Sequence, residues 1–336
     1  MSKILLATID FPPQRGGVAR YLGGIASSFP KDVEVLYWNG RVPKYIKLLW
    51  ELYRALKDKE TIWLSHIYPI GTAALLLRLF TKKPYVVFLH GMDFDLARRN
   101  VIRKIGAWFI LTAADRIVCN SAALAREVQK FSKEIPLVVY PFVEDALLHA
   151  SQVKDDYFFQ HNIRLLSVAR IVDRKGHMKV LHALQYFPHM QYDIVGDGPE
   201  RKRLEEKIIE SGLHDRVKIH TTISDSELSS FYKNADIFVM PSTKSKRDRE
   251  GFGIVYLEAA LFGLPVIATK QPGVEEALIN KGTGLLIEDI PEALVAAIDQ
   301  LAHDPGGRER MGRAGRKFVL HAFTREAQIR KLEELL

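Results

Sequence analysis

Along the first 140 residues, short apolar runs alternate with longer stretches in which apolar positions return every three or four residues. The runs at 4–7, 33–38, 61–65, 85–89, 116–119 and 137–140 are too short for helices, and they read as strands buried on both faces of a parallel sheet. Between them the helical period occupies 17–29, 43–58, 70–81, 96–112 and 122–132. Residues 144–162 are polar and lose periodicity. A second series then runs through 164–169, 192–195, 217–220, 237–240, 266–268 and 285–287, with helices between, and closes on helical stretches near 291–303, 307–320 and 324–335. Strand alternating with helix predicts an α/β fold of two doubly wound, mostly parallel sheets. In such sheets ligands bind beyond the carboxyl ends of the strands, so the chemistry is to be sought in those loops.

Composition narrows the class. The chain has 336 residues, which suits two domains, and its 47% hydrophobic and 26% charged content is that of a globular protein. The single cysteine, Cys119, excludes a disulfide framework and a cysteine-based zinc site, and points to a reducing cytoplasm. Residues 3–11 read as a first strand without the features of a signal peptide, and the most apolar stretches, 73–80 and 107–114, are too short to span a bilayer.

The net charge of +8 is unevenly placed, because residues 1–150 hold 21 Lys+Arg against 13 Asp+Glu and the remainder holds 27 of each. Basic asymmetry suits nucleic acid or an anionic membrane, and no nucleic-acid recognition motif is present. On a wheel of residues 43–58, Tyr45, Leu48, Leu49, Leu52 and Leu56 form the stripe expected to face a sheet. Trp50 falls elsewhere, among Lys47, Arg54 and Lys57, as an interfacial tryptophan does. Residues 98–111 likewise set Ile110 beside Arg99 and Arg103. The expectation is a peripheral, reversible contact of the first domain with the anionic inner face of a membrane. The competing reading is that Trp50 merely stacks on Arg54.

The candidate chemistry centres on the loop after 237–240. It runs through Pro241-Ser242 and a basic segment, 244–249, to Glu250-Gly251-Phe252-Gly253, and Glu258 follows eight residues after Glu250. Gly251 and Gly253 remove side chains where a helix presents unpaired N–H groups, which makes a seat for phosphate. Counted from Gly251 along a helix, Glu258 returns to the same face about 10 Å further on. A carboxylate at each end suits a sugar on either side of a diphosphate, which is the layout of a nucleotide sugar.

Other strand-end loops add Gly16-Gly17, which is neither a GxGxxG fingerprint nor a Walker loop, and His90-Gly91. Asp93-Phe94-Asp95 has the spacing of a metal-binding DxD but reads as a pair of helix-dipole partners. Arg170 and Lys175-Gly176 offer cations for a diphosphate, each charge-assisted bond contributing roughly 1.5–3 kcal/mol. Gly196-Asp197-Gly198-Pro199 is a further glycine turn.

In this order, and over almost the whole chain, these residues resemble the retaining GT-B glycosyltransferases of family 4 (glycosyl transferases group 1). The resemblance implies two Rossmann-like domains facing a cleft: an acceptor-binding domain over 1–150, a nucleotide-sugar domain over 163–320, and a closing segment over 321–336 that begins near Phe323-Thr324. It implies that Arg170 and Lys175 hold the donor diphosphate, that Glu250 binds the transferred sugar, that Glu258 binds the ribose and that His90 lies beside the reacting centre. Gly16, Gly17, Gly198, Gly251, Phe252 and Gly253 would line the donor site. No metal and no cofactor beyond the nucleotide diphosphate sugar are implied. Ala169 and Thr222 stand where the family often has glycine. The function expected is sugar transfer to a hydroxyl of a glycan or lipid-linked acceptor. The alternatives are a GT-B phosphorylase or synthase, and a non-catalytic GT-B scaffold of a glycan assembly.

Overall fold

The computed structural model describes residues 3–14, 16–151, 162–243 and 250–334. The basic segment 244–249 singled out above lies outside the described residues, as does most of the polar stretch 144–162. The contacts divide the chain into two units, Met1–Phe142 with Arg325–Leu336, and Val143–Thr324.

The first unit runs β1 (Ile4–Thr8), α1 (Gly17–Ser28), β2 (Val33–Tyr37), α2 (Tyr45–Leu56), β3 (Thr61–Ser65), α3 (Thr72–Thr81) and β4 (Tyr85–Leu89). It continues through α4 (Met92–Ala97), α5 (Val101–Thr112), β5 (Arg116–Cys119), α6 (Ala122–Val128) and β6 (Leu137–Val138). All strand pairs are parallel, in the order β2-β1-β3-β4-β5-β6. Every residue of β1 and β4 is buried, as a parallel strand covered on both faces requires. Because successive side chains point to opposite faces, Leu5, Leu64 and Val87 pack under α2, α3, α5 and α6, while Ile4, Trp63 and Phe88 pack under α1.

The second unit runs α7 (Asp145–Ala150), β7 (Arg164–Val168), α8 (His177–Leu184), β8 (Gln191–Val195), α9 (Arg201–Glu210), β9 (Val217–His220), α10 (Asp225–Asn234) and β10 (Ile237–Met240). After these come α11 (Ile254–Leu261), β11 (Val266–Thr269), α12 (Val274–Ala277), β12 (Gly284–Ile287), α13 (Pro291–His303) and α14 (Pro305–Ala322). Its sheet is also parallel, ordered β12-β11-β10-β7-β8-β9. The last helix, α15 (Arg325–Glu333), belongs to the first unit, where Ile329 and Leu332 join the core on the α1 side. Both strand orders reverse direction once, between β1 and β3 in one sheet and between β7 and β10 in the other. Such switch points open a crevice at the carboxyl ends of the flanking strands.

Several sequence expectations are corrected. The helix expected over 96–112 is two, because Asn100 leaves the helical conformation and its side chain accepts from Arg103 N at 2.8 Å, capping α5. Ile110, expected on an interfacial face, is fully buried, since with Ala107 and Leu111 it forms the inward stripe of α5. Tyr45, placed in the core stripe of α2, is instead 40% exposed at the helix start. Trp50 does stack with Arg54, whose guanidinium carbon lies 4.6 Å from the ring centroid, and it stays 55% exposed. Among the described residues no helix is long and apolar enough to cross a membrane.

Candidate active site

At the switch point of the second unit, the loop after β7 meets the loop after β10. Glu250 Oε2 accepts from Arg174 Nη1 at 2.9 Å and from Lys175 Nζ, and only about a tenth of the Glu250 and Lys175 side chains is exposed. Burial pushes the Glu250 carboxyl up, but the charges of Lys175 and Arg174 and their hydrogen bonds outweigh it and hold the group below its ordinary value. The site therefore sets a carboxylate against two basic side chains. Arg170, on the same loop, is exposed and its guanidinium has no partner among the described residues.

Close backbone approaches hold this arrangement. An added Cβ at Gly176, which has φ +79°, would lie 2.3 Å from Pro241 O, so the loop bearing Lys175 rests directly on the end of β10. Gly198 serves the same purpose, because a Cβ there would lie 2.2 Å from Ile171 O. It packs the loop after β8 onto the loop that carries Arg170. Gln271, after β11, is buried and fixes the carboxylate loop by accepting from Glu250 N at 3.2 Å and donating to Ser242 O at 2.8 Å.

The helix begins later than the sequence suggested. Gly253 is the N-cap of α11, with φ +83°, so Gly251 and Phe252 lie before the helix and the face expected to join Gly251 to Glu258 does not exist. Phe252 is buried, its ring 5.7 Å from that of Phe323. Glu258 is fully buried within α11 and accepts from Tyr232 Oη at 2.7 Å. The ends of the motif thus differ: Glu250 is a loop carboxylate held by cations, and Glu258 is a core carboxylate held by a phenol.

The first unit carries its own polar cluster at the ends of β1, β3 and β4. His66 Nε2 lies 3.1 Å from Asp10 Oδ2, and Ser65 Oγ lies 3.0 Å from His66 Nδ1 and 3.1 Å from His90 Nε2. His66 adopts φ +84°, a left-handed conformation that a residue with a Cβ rarely holds. Asp93 Oδ1 accepts from His90 N at 3.0 Å, and Asn120 Nδ2 donates to His90 O at 3.2 Å. Three buried polar atoms here, His90 Nδ1, Asp93 Oδ2 and Asn120 Oδ1, have no hydrogen-bond partner among the described residues. Asp95 pairs with Arg98 at 2.6 Å, and both acids of the DxD segment lie in the first turn of α4, as helix-dipole partners do. Gly16 caps α1, which starts at Gly17, and nothing lies within 4 Å of an added Cβ at Gly16, leaving that backbone open to approach.

The structure thus joins Glu250 to Lys175 and places His90 in a network of its own. Sequence reasoning missed Arg174, Gln271, Asp10, Ser65, His66 and Asn120. Their one shared signal is position, since each lies at or just after a strand's carboxyl end. Among the described residues no group of three or more histidine, cysteine, aspartate or glutamate side chains is placed to hold a metal ion.

Comparison with known proteins agrees with this architecture. The family model described as Glycosyltransferase Family 4 matches residues 15–147, and that described as Glycosyl transferases group 1 matches residues 153–318. A GDP-mannose-dependent alpha-(1-6)-phosphatidylinositol monomannoside mannosyltransferase of Mycolicibacterium smegmatis is 26% identical, over 99% of this chain and 98% of its own. The protein of the same name from Mycobacterium tuberculosis is 27% identical over 100% and 98%. Among solved structures, sucrose-phosphate synthase from Thermosynechococcus elongatus superposes with a TM-score of 0.82 at 22% identity, covering 100% of this chain and 98% of that one. HepE of Anabaena, in complex with UDP and glucose, gives 0.81 at 19% identity, covering 99% of each. With the two family models following one another along nearly the whole sequence and a Rossmann-like sheet in each part, the chain belongs to the family 4 type of GT-B glycosyltransferases.

Proposed function

We propose that this enzyme moves a sugar from a nucleotide diphosphate sugar to a hydroxyl of a lipid-linked or glycan acceptor, with retention of anomeric configuration and without a metal or cofactor. The observation that carries this reading is the Arg174–Lys175–Glu250 cluster at the switch point of the second unit. In the free enzyme Glu250 occupies Lys175. An arriving diphosphate competes for that cation and for the open guanidinium of Arg170, which releases Glu250 to accept hydrogen bonds from the sugar. The backbone N–H groups of Gly251, Phe252 and Gly253, which follow Glu250 in the chain, are assigned to the sugar and phosphate.

As the bond from the anomeric carbon to phosphate oxygen breaks, negative charge grows on the departing diphosphate, where Arg170, Lys175 and the loop amides stabilise it. The acceptor hydroxyl bonds to that carbon on the same face, and its proton passes to the departing phosphate oxygen. No side chain has to act as base. Glu258 is assigned to the ribose end. Because it is fully buried on Tyr232, that contact requires the adjoining wall to open, and Glu258→Gln reports whether it does. The first unit is assigned the acceptor, with His90 beside the reacting centre, and its Gly16-Gly17 turn is assigned to the donor.

The names of the relatives make GDP-mannose the first donor to test and a phosphatidylinositol mannoside the first acceptor, which supports a role in glycolipid synthesis. The experiment is a donor panel with that acceptor in the presence of EDTA, followed by NMR of the product's anomeric centre. Transfer is expected to survive chelation and to give the donor's anomer. Glu250→Gln and Lys175→Ala are each expected to lose roughly 100-fold in kcat/KM, about 2.7 kcal/mol. Dependence on manganese, an inverted product, or a requirement for inorganic phosphate would overturn the reading.

A further inference from the structure

Helices α2, α3, α5 and α6 cover one side of the first unit's sheet, and their inward residues form its core. The outward side of such a helix is ordinarily polar. Helix α5 departs from this. Ala107, Ile110 and Leu111 face the core, yet Val101, Ile102, Ile105, Trp108 and Phe109, spaced i, i+1, i+4, i+7 and i+8, form a second apolar stripe on the opposite side. Ile102 is 84% exposed and Val101 71%. Helix α3, which touches both α2 and α5, adds Leu79 at 70% and Phe80 at 82%, and α2 adds Ile46 at 83%. Single exposed apolar residues are ordinary, but an apolar surface shared by three neighbouring helices marks an interaction site.

The charges around it identify the partner. Helices α3 and α5 contain no aspartate or glutamate. The acid of α2, Glu51, is tied to Trp38 Nε1 at 2.7 Å and to Lys47 at 3.6 Å. Lys44 and Lys57 at the ends of α2, Lys82 after α3, and Arg99 and Arg103 at the start of α5 are exposed and in no ion pair among the described residues. A second copy of this chain would bring the same cations face to face. An anionic bilayer offers negative headgroups to those cations and an apolar layer just beneath for the stripe.

We propose that the outward face of α2, α3 and α5 docks on the anionic surface of a phospholipid bilayer, with α5 as the inserted element. Trp108, set edge-on to Phe109 with centroids 4.9 Å apart, would lie at headgroup level. This shifts the weight from Trp50, which is covered on one side by Arg54, to α5. The proposal stands on this surface alone and is independent of the donor assignment.

The test is co-sedimentation of the full chain with vesicles of phosphatidylcholine, alone or mixed with phosphatidylglycerol. The comparison is between wild type, an Ile102→Ser, Ile105→Ser, Trp108→Ser variant and an Arg99→Glu, Arg103→Glu variant. Wild type is expected to prefer anionic vesicles and to be released by high salt. Each variant should partition about tenfold less, while its melting temperature and its thermal shift with GDP-mannose stay those of wild type. The thermal shift reports the donor site separately, so its failure would count against the proposed activity and not against docking. Absent or equal binding to both vesicle types, or equal binding by wild type and variants, overturns the proposal. A wild-type dimer in light scattering that the triple substitution dissociates would make the face a protein interface instead.

Discussion

His90 and His66 share one serine and sit in opposite electrostatic situations. Burial drives His90 down to about 4, with only partial compensation from Asp93. For His66 burial also lowers the value, but the hydrogen bond to Asp10 and the charges of Asp93 and Asp10 raise it above the ordinary 6.5. A charged His66 donates from Nε2 to Asp10 and from Nδ1 to Ser65 Oγ. The Ser65 hydroxyl then donates to His90 Nε2, so the proton of neutral His90 must sit on Nδ1, an atom with no hydrogen-bond partner among the described residues. A donor is thereby held ready for a ligand oxygen. The stability consequences have opposite signs. His90 is neutral when folded and charged when unfolded between about 4 and 6.5, so stability falls as pH drops through that window. His66 contributes stability that is complete below 6.5 and is lost as pH rises through its folded value. Ring-nitrogen NMR at mildly acidic pH, assigned with His90→Gln and His66→Gln, is expected to show a doubly protonated His66 beside a neutral, Nδ1-protonated His90. A His90 that titrates with an ordinary histidine value would refute this network.

At the scale of elements, the carboxylate loop before α11 is positioned by backbone that lies on backbone. An added Cβ at Gly273, in the loop after β11, would lie 1.6 Å from Gly251 O, so Gly273→Ala must push the Gly251-Phe252 segment away. The overpacking should cost about 1–3 kcal/mol of stability. Because the displaced segment adjoins Glu250, kcat/KM should fall by roughly 10–100-fold, about 1.4–2.7 kcal/mol, in a protein that still folds. Kinetics at a temperature well below the calorimetric transition separates the two effects, and unchanged kcat/KM would show that this loop does not set the donor geometry. Gly273 was invisible in the sequence because its neighbour is far along the chain. The same reason hid Arg174, which meets Glu250 across 76 positions, and the Asp10–His66 pair, which joins the loops after β1 and β3. The alternation of strands and helices was legible because buried parallel strands are apolar runs and the helices keep their period. Glu250, Lys175 and His90 could be singled out because strand ends mark crevices. Helix α5 was misread for a different reason. It is apolar on both sides, so a helical wheel cannot tell which stripe meets the sheet, and only the packed structure assigns Ile110 to the inside and Ile105 to the outside.

At the scale of the whole molecule, the first unit is discontinuous, and its last piece is the final helix of the chain. Helix α15 buries Ile329 and Leu332 among Ile4, Leu6, Leu22 and Ile25, on the side of the sheet that α1 covers. Gln328 is fully buried and accepts from Tyr140 N at 2.8 Å, and the Arg325 guanidinium carbon lies 5.8 Å from the Phe142 ring centroid. Burial of two such aliphatic side chains contributes roughly 3–6 kcal/mol, a large part of what keeps a domain folded. Removal of residues 325–336 also takes away the buried acceptor of Tyr140 N and uncovers the apolar side of α1. The second unit loses no residue by this cut and keeps Phe323, whose ring packs on Phe252. Calorimetry of the truncated chain is therefore expected to show a low-temperature transition split from that of the second unit. Hydrogen exchange should rise in β1, α1 and β6 and stay unchanged in β7, β10 and α11. The thermal shift produced by GDP-mannose should persist in the upper transition, because Arg174, Lys175 and Glu250 all lie in the second unit. Truncation that leaves exchange in β1 and α1 at its wild-type rate would show that α15 is dispensable to the first unit, and a lost shift in the upper transition would show that donor binding needs more than the second unit supplies.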